Sequence, residues 1–404
     1  MKQTWRWFGP DDPTSLDVIV QAGARGIVSS LHHLESGEAW SKSEISKHQQ
    51  EIARFTNGAP SGLEWDVVES LVVSEDIKRQ SGDFKQHLEN YRISLKNLAD
   101  SGITTVCYNF MPVIDWTRTD LAHRLASGGT AMRFDIVDFA VFDIFLLERP
   151  GARHDFSEEL LETCERRHAQ MTDAEKSTLV QNIVAGLPGS NEKLTLDEVR
   201  GHLSQYARIS REQLAGHLVD FLGEVVPLAE RLGVRLCCHP DDPPFALMGL
   251  PRVTSTAKDY RNFLNAVDSP ANGMTFCSGS FGARHDNDLL AMIDEFADKI
   301  HFAHLRAVKR DADSVPCSFF EDEHLAGDID MIAIVGALML EEKRRKREGR
   351  SDHQIPMRPD HGQDIADDLG RKGAQPGYPV IGRLKGLAEL RGVMSALQHA
   401  ECGL

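Results

Sequence analysis

Four short segments of the chain end in residues that hold metals or move protons. They are CCHPDD at 237–242, FCSGS at 276–280, AHLR at 303–306 and RPDHG at 358–362. Together they offer His239, Cys277, His304 and Asp360. Two imidazoles, a thiol and a carboxyl are the donor types of a divalent transition-metal site. A single histidine at a strand end is usually structural. Four donor-type residues closing four successive segments form a pattern that chance would scatter. A thiolate donor favours softer ions over Mg2+ or Ca2+. Arg306 follows His304 by two, so both can face one way, and a guanidinium beside a metal can grip a carboxylate bidentately. His361 follows Asp360 directly and, where the strand ends, can turn to the same place. Tyr378, in the turn-rich PGYP of 376–379, can hang over it.

The elements that must position these residues follow from the apolar pattern. Eight short β-rich runs recur: Thr4–Phe8, Gly26–Leu31, Trp65–Val72, Thr104–Phe110, Val234–His239, Met274–Ser278, Ile300–Arg306 and Ile355–Asp360. VRLCCH and GITTVCYNF are apolar almost throughout, as parallel strands buried on both faces are. Between the runs lie helical stretches with capping residues: Ser15–Gly23, Ser43–Asn57, Asp83–Ser101, Ser210–Leu232, Lys258–Val267, Asp286–Asp298, Asp328–Gly349 and Gly382–His399. Strand and helix alternating eight times predict an α/β chain folded as a (β/α)8 TIM barrel, whose active site lies at the C-terminal strand ends. A doubly wound open sheet competes, but no GxGxxG follows the first strand. With His239 pointing into the barrel mouth, Cys237 shares its face and Cys238 points outward. The tips of the remaining strands carry Arg6 and Trp7, His32 and His33, and Asn109 followed by Asp115 and Trp116, polar groups suited to the hydroxyls of a sugar-like substrate. His324, just before Ala326-Gly327-Asp328, can reach the same rim.

One stretch breaks the rhythm. Residues 115–207 form an insertion after the fourth strand, within a single barrel domain spanning 1–404. In it Arg133–Leu147 alternates like a strand or hairpin, and Phe156–Ala169 and Asp173–Gly186 have helical patterns. A lid, an oligomer contact and mere decoration are all open roles. The basic run Lys343–Arg350 reads as a solvated helix end, where cations complement the macrodipole.

Composition bounds the function. With 404 residues, 41% hydrophobic and 26% charged, the chain is no disordered polymer. Its net charge of −16 argues against nucleic-acid binding. Met1–Gly9 is too short and polar for a signal peptide, and the longest apolar run, Met331–Leu340, falls far short of the ~20 residues of a membrane span. Seven cysteines without a CxxC spacing indicate reduced thiols and a cytoplasmic chain.

The segments RWFGPDDP, YNFMPVIDWTRTDL, HPDDPP, FCSGSFGARHDNDL, HLR, HLAGDIDM, RPDHG and PGYPVIGRLKGLAELRG resemble the mannonate dehydratases of the UxuA type, from Arg6 to Gly392. The resemblance implies a TIM barrel related to the xylose-isomerase-like metalloenzymes. It implies dehydration of D-mannonate to 2-keto-3-deoxy-D-gluconate in hexuronate (glucuronate) catabolism. It further implies one Mn2+ or Fe2+ ion on His239, Cys277, His304 and Asp360, with His361 and Tyr378 as an acid/base pair. The chemistry agrees: one group takes the C2 proton and another protonates the departing C3 hydroxyl, while a metal and Arg306 steady the charge. Which of the pair does which is left open. Arg306, Asn109, Arg6 and His324 are the candidates for substrate contact. A sugar isomerase or epimerase, or a dehydratase of a related aldonate, is the alternative on the same barrel. A barrel nuclease is opposed by the charge. A structural zinc scaffold is opposed by donors drawn from four distant segments. The expected partner is a small sugar acid, with no nucleic acid and no membrane, and a homodimer follows by analogy.

Overall fold

The computed structural model describes residues 1–114, 116–185 and 194–401. Two residues of the sequence reading, Asp115 and Gly186, lie outside them. Among the described residues twelve strands form: β1 Lys2–Arg6, β2 Gly26–Ser29, β3 Glu64–Glu69, β4 Thr105–Tyr108, β5 Asp120–Arg124, β6 Thr130–Phe134, β7 Arg235–Cys238, β8 Asn272–Cys277, β9 Ile300–His304, β10 Ala307–Arg310, β11 Phe319–Asp322 and β12 Pro356–Arg358. Eight close into a barrel in the order β1-β12-β9-β8-β7-β4-β3-β2, every pairing parallel. Each of the eight apolar runs supplies one of these strands, so the chain is a (β/α)8 barrel.

Alternation along each strand divides the core in two. Val28, Val67, Cys107, Cys237 and Phe302 fill the barrel interior. Leu236 and Cys238, flanking Cys237, belong to the larger apolar shell between strands and helices. The helices begin where the side chains can satisfy free amides: Ser210 caps Arg211–Leu232 and Thr256 caps Ala257–Ala266, each in a reciprocal capping box. Among the described residues, no helix is long and apolar enough to cross a membrane.

Two expectations need correction. Arg133–Leu147 is no hairpin. Its strand ends at Phe134, and Asp135 then accepts from the amides of Val137 and Asp138, starting a helix over Ile136–Val141 that continues as a π turn over Phe142–Leu146. A capping aspartate outweighs an alternating pattern, because it satisfies two amides that the start of the helix would leave unpaired. β6 instead pairs with β5 and with β11, giving a four-stranded antiparallel sheet β10-β11-β6-β5 on the rim. Nor is the basic run wholly solvated. Arg345 is buried, reaches Glu341 at 2.6 Å, and donates to the carbonyls of Ala297 and Ile300. It clamps the helix Met331–Arg347 to the start of β9.

Candidate active site

The C-terminal strand ends converge as the barrel geometry requires. His239 follows β7, Cys277 closes β8, and His304 closes β9. His239 Nε2 and His304 Nδ1 face each other at 3.1 Å, and Cys277 Sγ joins them so that the three atoms lie within 4.8 Å of one another. Local structure presents each atom. His239 Nδ1 sits 2.7 Å from the Pro240 carbonyl, which only accepts, so that nitrogen carries the hydrogen and Nε2 keeps its lone pair. Burial lowers the His239 pKa despite Glu69, Asp360 and Asp242 nearby, so the ring is neutral. Cys277 caps the short helix Ser278–Gly282, and its sulfur receives the Ser280 amide at 3.4 Å and hydroxyl at 3.2 Å. Two donors converging on sulfur suit a thiolate. Two imidazoles and a sulfur in this space are a donor set that fits a divalent transition metal.

Asp360 adjoins this trio. Its carboxylate lies 3.7 Å from Cys277 Sγ and 3.7 Å from His304 Nδ1. It follows β12 in the left-handed region, at φ +63°, which aspartate tolerates better than most residues. Burial alone would raise its pKa, but His361, Arg358 and Arg306 hold it well below the ordinary range. Arg358 meets one oxygen at 2.6 Å and Arg306 the other at 3.1 Å. On its far side Arg358 also binds Glu69 at 2.7 Å, and Glu69 stands 3.5 Å from His304 Nε2.

Arg306 is a hub rather than an open hand. It reaches Asp242 at 2.6 Å, Glu321 at 3.3 Å and Asp360 at 3.1 Å, and lies 3.0 Å from His361 Nδ1. Gly279 lets it approach, since a Cβ there would overlap its Nε. Arg118, fully buried, answers with bonds to Asp242 at 2.8 Å and Glu321 at 2.8 Å. His361 packs edge-on against Tyr378 with ring centres 5.0 Å apart, and Phe8 closes the other side of Tyr378 at 4.9 Å. Burial raises the Tyr378 pKa.

The remaining residues singled out in the sequence fall at different distances from this centre. Arg6 is buried at the end of β1, donates to the Glu69 carbonyl, and lies 3.5 Å from the Glu69 carboxylate. Asn109 is buried one residue beyond β4, level with His239 through the Tyr108–Cys238 register. His324 turns behind the strand end, to the Pro359 carbonyl at 2.6 Å, in a space left by Gly386, where a Cβ would strike its ring. Sequence reasoning singled out none of Glu69, Arg118, Asp242, Glu321, Ser280 and Arg358. Asp242, Ser280 and Arg358 stand inside the four opening segments, and Arg118 inside YNFMPVIDWTRTDL, so their proximity was there to read. Glu321, on β11, gave no such signal.

Comparison with known proteins agrees over the whole chain. A family model described as D-mannonate dehydratase (UxuA) matches residues 1–402. A mannonate dehydratase of Rhizobium meliloti (strain 1021) is 57% identical over 404 residues, covering 100% of this chain and 99% of that one. Mannonate dehydratase 1 of Agrobacterium fabrum is 56% identical over the same span, again covering 100% and 99%. A solved mannonate dehydratase from Streptococcus suis serotype 2 superposes with a TM-score of 0.75 at 32% identity, covering 99% of this chain and 94% of that one. With the fold, the rim and these relatives in accord, the chain belongs to the D-mannonate dehydratase (UxuA) family, an enzyme family of hydro-lyases.

Proposed function

We propose that the chain dehydrates D-mannonate to 2-keto-3-deoxy-D-gluconate at the barrel mouth, with His239, Cys277, His304 and Asp360 holding one Mn2+ or Fe2+ ion and His361 and Tyr378 moving the protons. The observation that carries this reading is the meeting of three metal-donor atoms on the rim of a barrel of this family, with the His361–Tyr378 pair beside them. When bound, the ion supplies positive charge against the charge that builds on the substrate's carboxylate oxygens. Arg358 Nε and Glu69 flank His304 Nε2, at 3.2 and 3.5 Å, and so turn Nδ1 toward the mouth. Arg306 and Arg358 fix both oxygens of Asp360. Tyr378, its pKa raised by burial, enters with its proton and gives it to the departing C3 hydroxyl. His361 takes the C2 proton. Arg6 and Asn109, at the tips of β1 and β4, meet the substrate's hydroxyls. Arg306 contributes by holding Asp360 and Glu321 in place, and His324 by supporting the turn at Pro359. The described part of the insertion, tied into the rim sheet through β6, walls the site on the side of Trp116. The six described cysteines are free and buried, which suits the reducing cytoplasm.

The test is a metal-reconstituted assay over a panel of hexonates. Chelator-stripped protein should be inactive, and Mn2+ or Fe2+ should restore a 2-keto-3-deoxy product from D-mannonate. Cys277→Ala or Asp360→Ala should cost at least about 100-fold in activity. A loss of only a few-fold would remove those residues from the ligand set. Full activity without metal would end the metal assignment, and an epimer or ketose product would favour an isomerase.

A further inference from the structure

We propose that Glu321 is a positioning residue for this reaction: it holds His361 through Nδ1, so that Nε2 is the nitrogen offered to the substrate. The inference rests on the reading that His361 moves a proton. Glu321 Oε2 lies 2.8 Å from His361 Nδ1. A carboxylate only accepts, so Nδ1 carries the hydrogen. Arg306 Nη1 also lies 3.0 Å from Nδ1. Were the Nδ1 lone pair turned to Arg306, however, two acceptors would face each other at 2.8 Å across the Glu321 contact. The Arg306 hydrogens have other acceptors, in Asp360 at 3.1 Å and Glu321 Oε1 at 3.3 Å. His361 Nε2 lies 3.9 Å from Asp360 Oδ1, on the side of the metal donors.

The fold goes to some length to bring this carboxylate there. On β11 the inward positions are Phe319 and Glu321, at 0% and 2% exposure. A carboxylate buried this deeply is costly unless it is paired on all sides. Arg118 donates to Oε1 from two nitrogens, at 2.8 and 3.2 Å. Glu321 therefore stays charged and rigid, which is what the third member of a nucleophile–base–orienter arrangement requires. On β10 Val308 stands opposite it, and on the other side β6 pairs with its strand neighbours Phe319 and Phe320.

The test is a double-mutant cycle in the metal-loaded enzyme. Glu321→Gln should lower kcat about 100-fold with KM changed less than about threefold, at unchanged metal content and melting temperature. In a His361→Ala background the same change should cost almost nothing more, because Glu321 acts through that ring. Should Glu321→Gln not fold, Glu321→Asp keeps the charge beside Arg118 while withdrawing the oxygen from Nδ1, and the same non-additivity is expected. Equal losses in both backgrounds, a kcat within threefold of the parent, or a loss confined to KM would overturn the proposal. Independently of any substrate, two-bond 1H–15N spectra of the Zn2+-loaded protein should show a hydrogen on His361 Nδ1. An Nε2–H tautomer would refute the proposal even if the wild-type chain dehydrates mannonate. Failure of the wild-type chain to do so would count against the functional reading and leave the spectrum to decide this one.

Discussion

A buried guanidinium that touches three carboxylates and an imidazole is sensitive to very small displacements. Gly279 is the point of control, since any Cβ there must push Arg306 aside. Gly279→Ala should destabilise the protein by about 1–3 kcal/mol, the usual effect of overpacking, and lower kcat at least tenfold with the fold retained. Melting temperature and steady-state kinetics check both halves; unchanged kcat would show that Arg306 does not set the site. At this scale the sequence was informative for residues that end strands and uninformative for those that partner them. His239, Cys277 and His304 could be read because a barrel puts every strand tip on one rim. The ion-pair network was legible only in part: Asp242 and Arg358 share the strand-end segments, but Glu321, 203 positions from its partner Arg118, returns to the rim on a strand outside the barrel. No local spacing records such a meeting.

Elements show the same division. The eight barrel strands were legible because burial on both faces leaves an uninterrupted apolar run. The rim sheet was not, because β6 and β11 are short, half-polar, and paired only through tertiary contact. The insertion is tethered at a second point. Tyr206, at the end of the helix Leu196–Tyr206, donates its hydroxyl to Glu75 at 2.7 Å, and Glu75 also receives Lys78 at 2.8 Å and the Val113 amide at 3.3 Å. Val113 lies three residues before Trp116 in sequence, and the Trp116 ring stands 6.2 Å from His361. Tyr206→Phe should weaken this tether by about 1–1.5 kcal/mol, raising amide exchange in 196–206 roughly tenfold. Unchanged exchange there would mean that packing alone holds the helix.

Across the whole molecule, the end of the barrel opposite the site sets a pH response. His301, second in β9, is buried, and neither ring nitrogen has a hydrogen-bond partner among the described residues. Burial, with Arg345 and Arg235 close by, takes its pKa down to about 3. The unfolded chain holds this proton below about pH 6.5 and the folded chain does not. Stability should therefore fall as pH drops from 6.5 toward 3, by up to about 1.4 kcal/mol for each unit, and this group should be silent above 6.5. Urea midpoints at pH 7.5 and 5.5 should differ less in His301→Leu than in the parent; an equal difference would acquit His301. The rim sheet has a consequence for how such chains diverge. It is woven from two separate excursions, one leaving the barrel after β4 and one after β9, joined where Phe134 meets Phe319 and Arg133 meets Phe320. Neither excursion can be inherited or grafted alone: a chimaera that borrows one from a distant relative must borrow the other, and their sequences should drift in step.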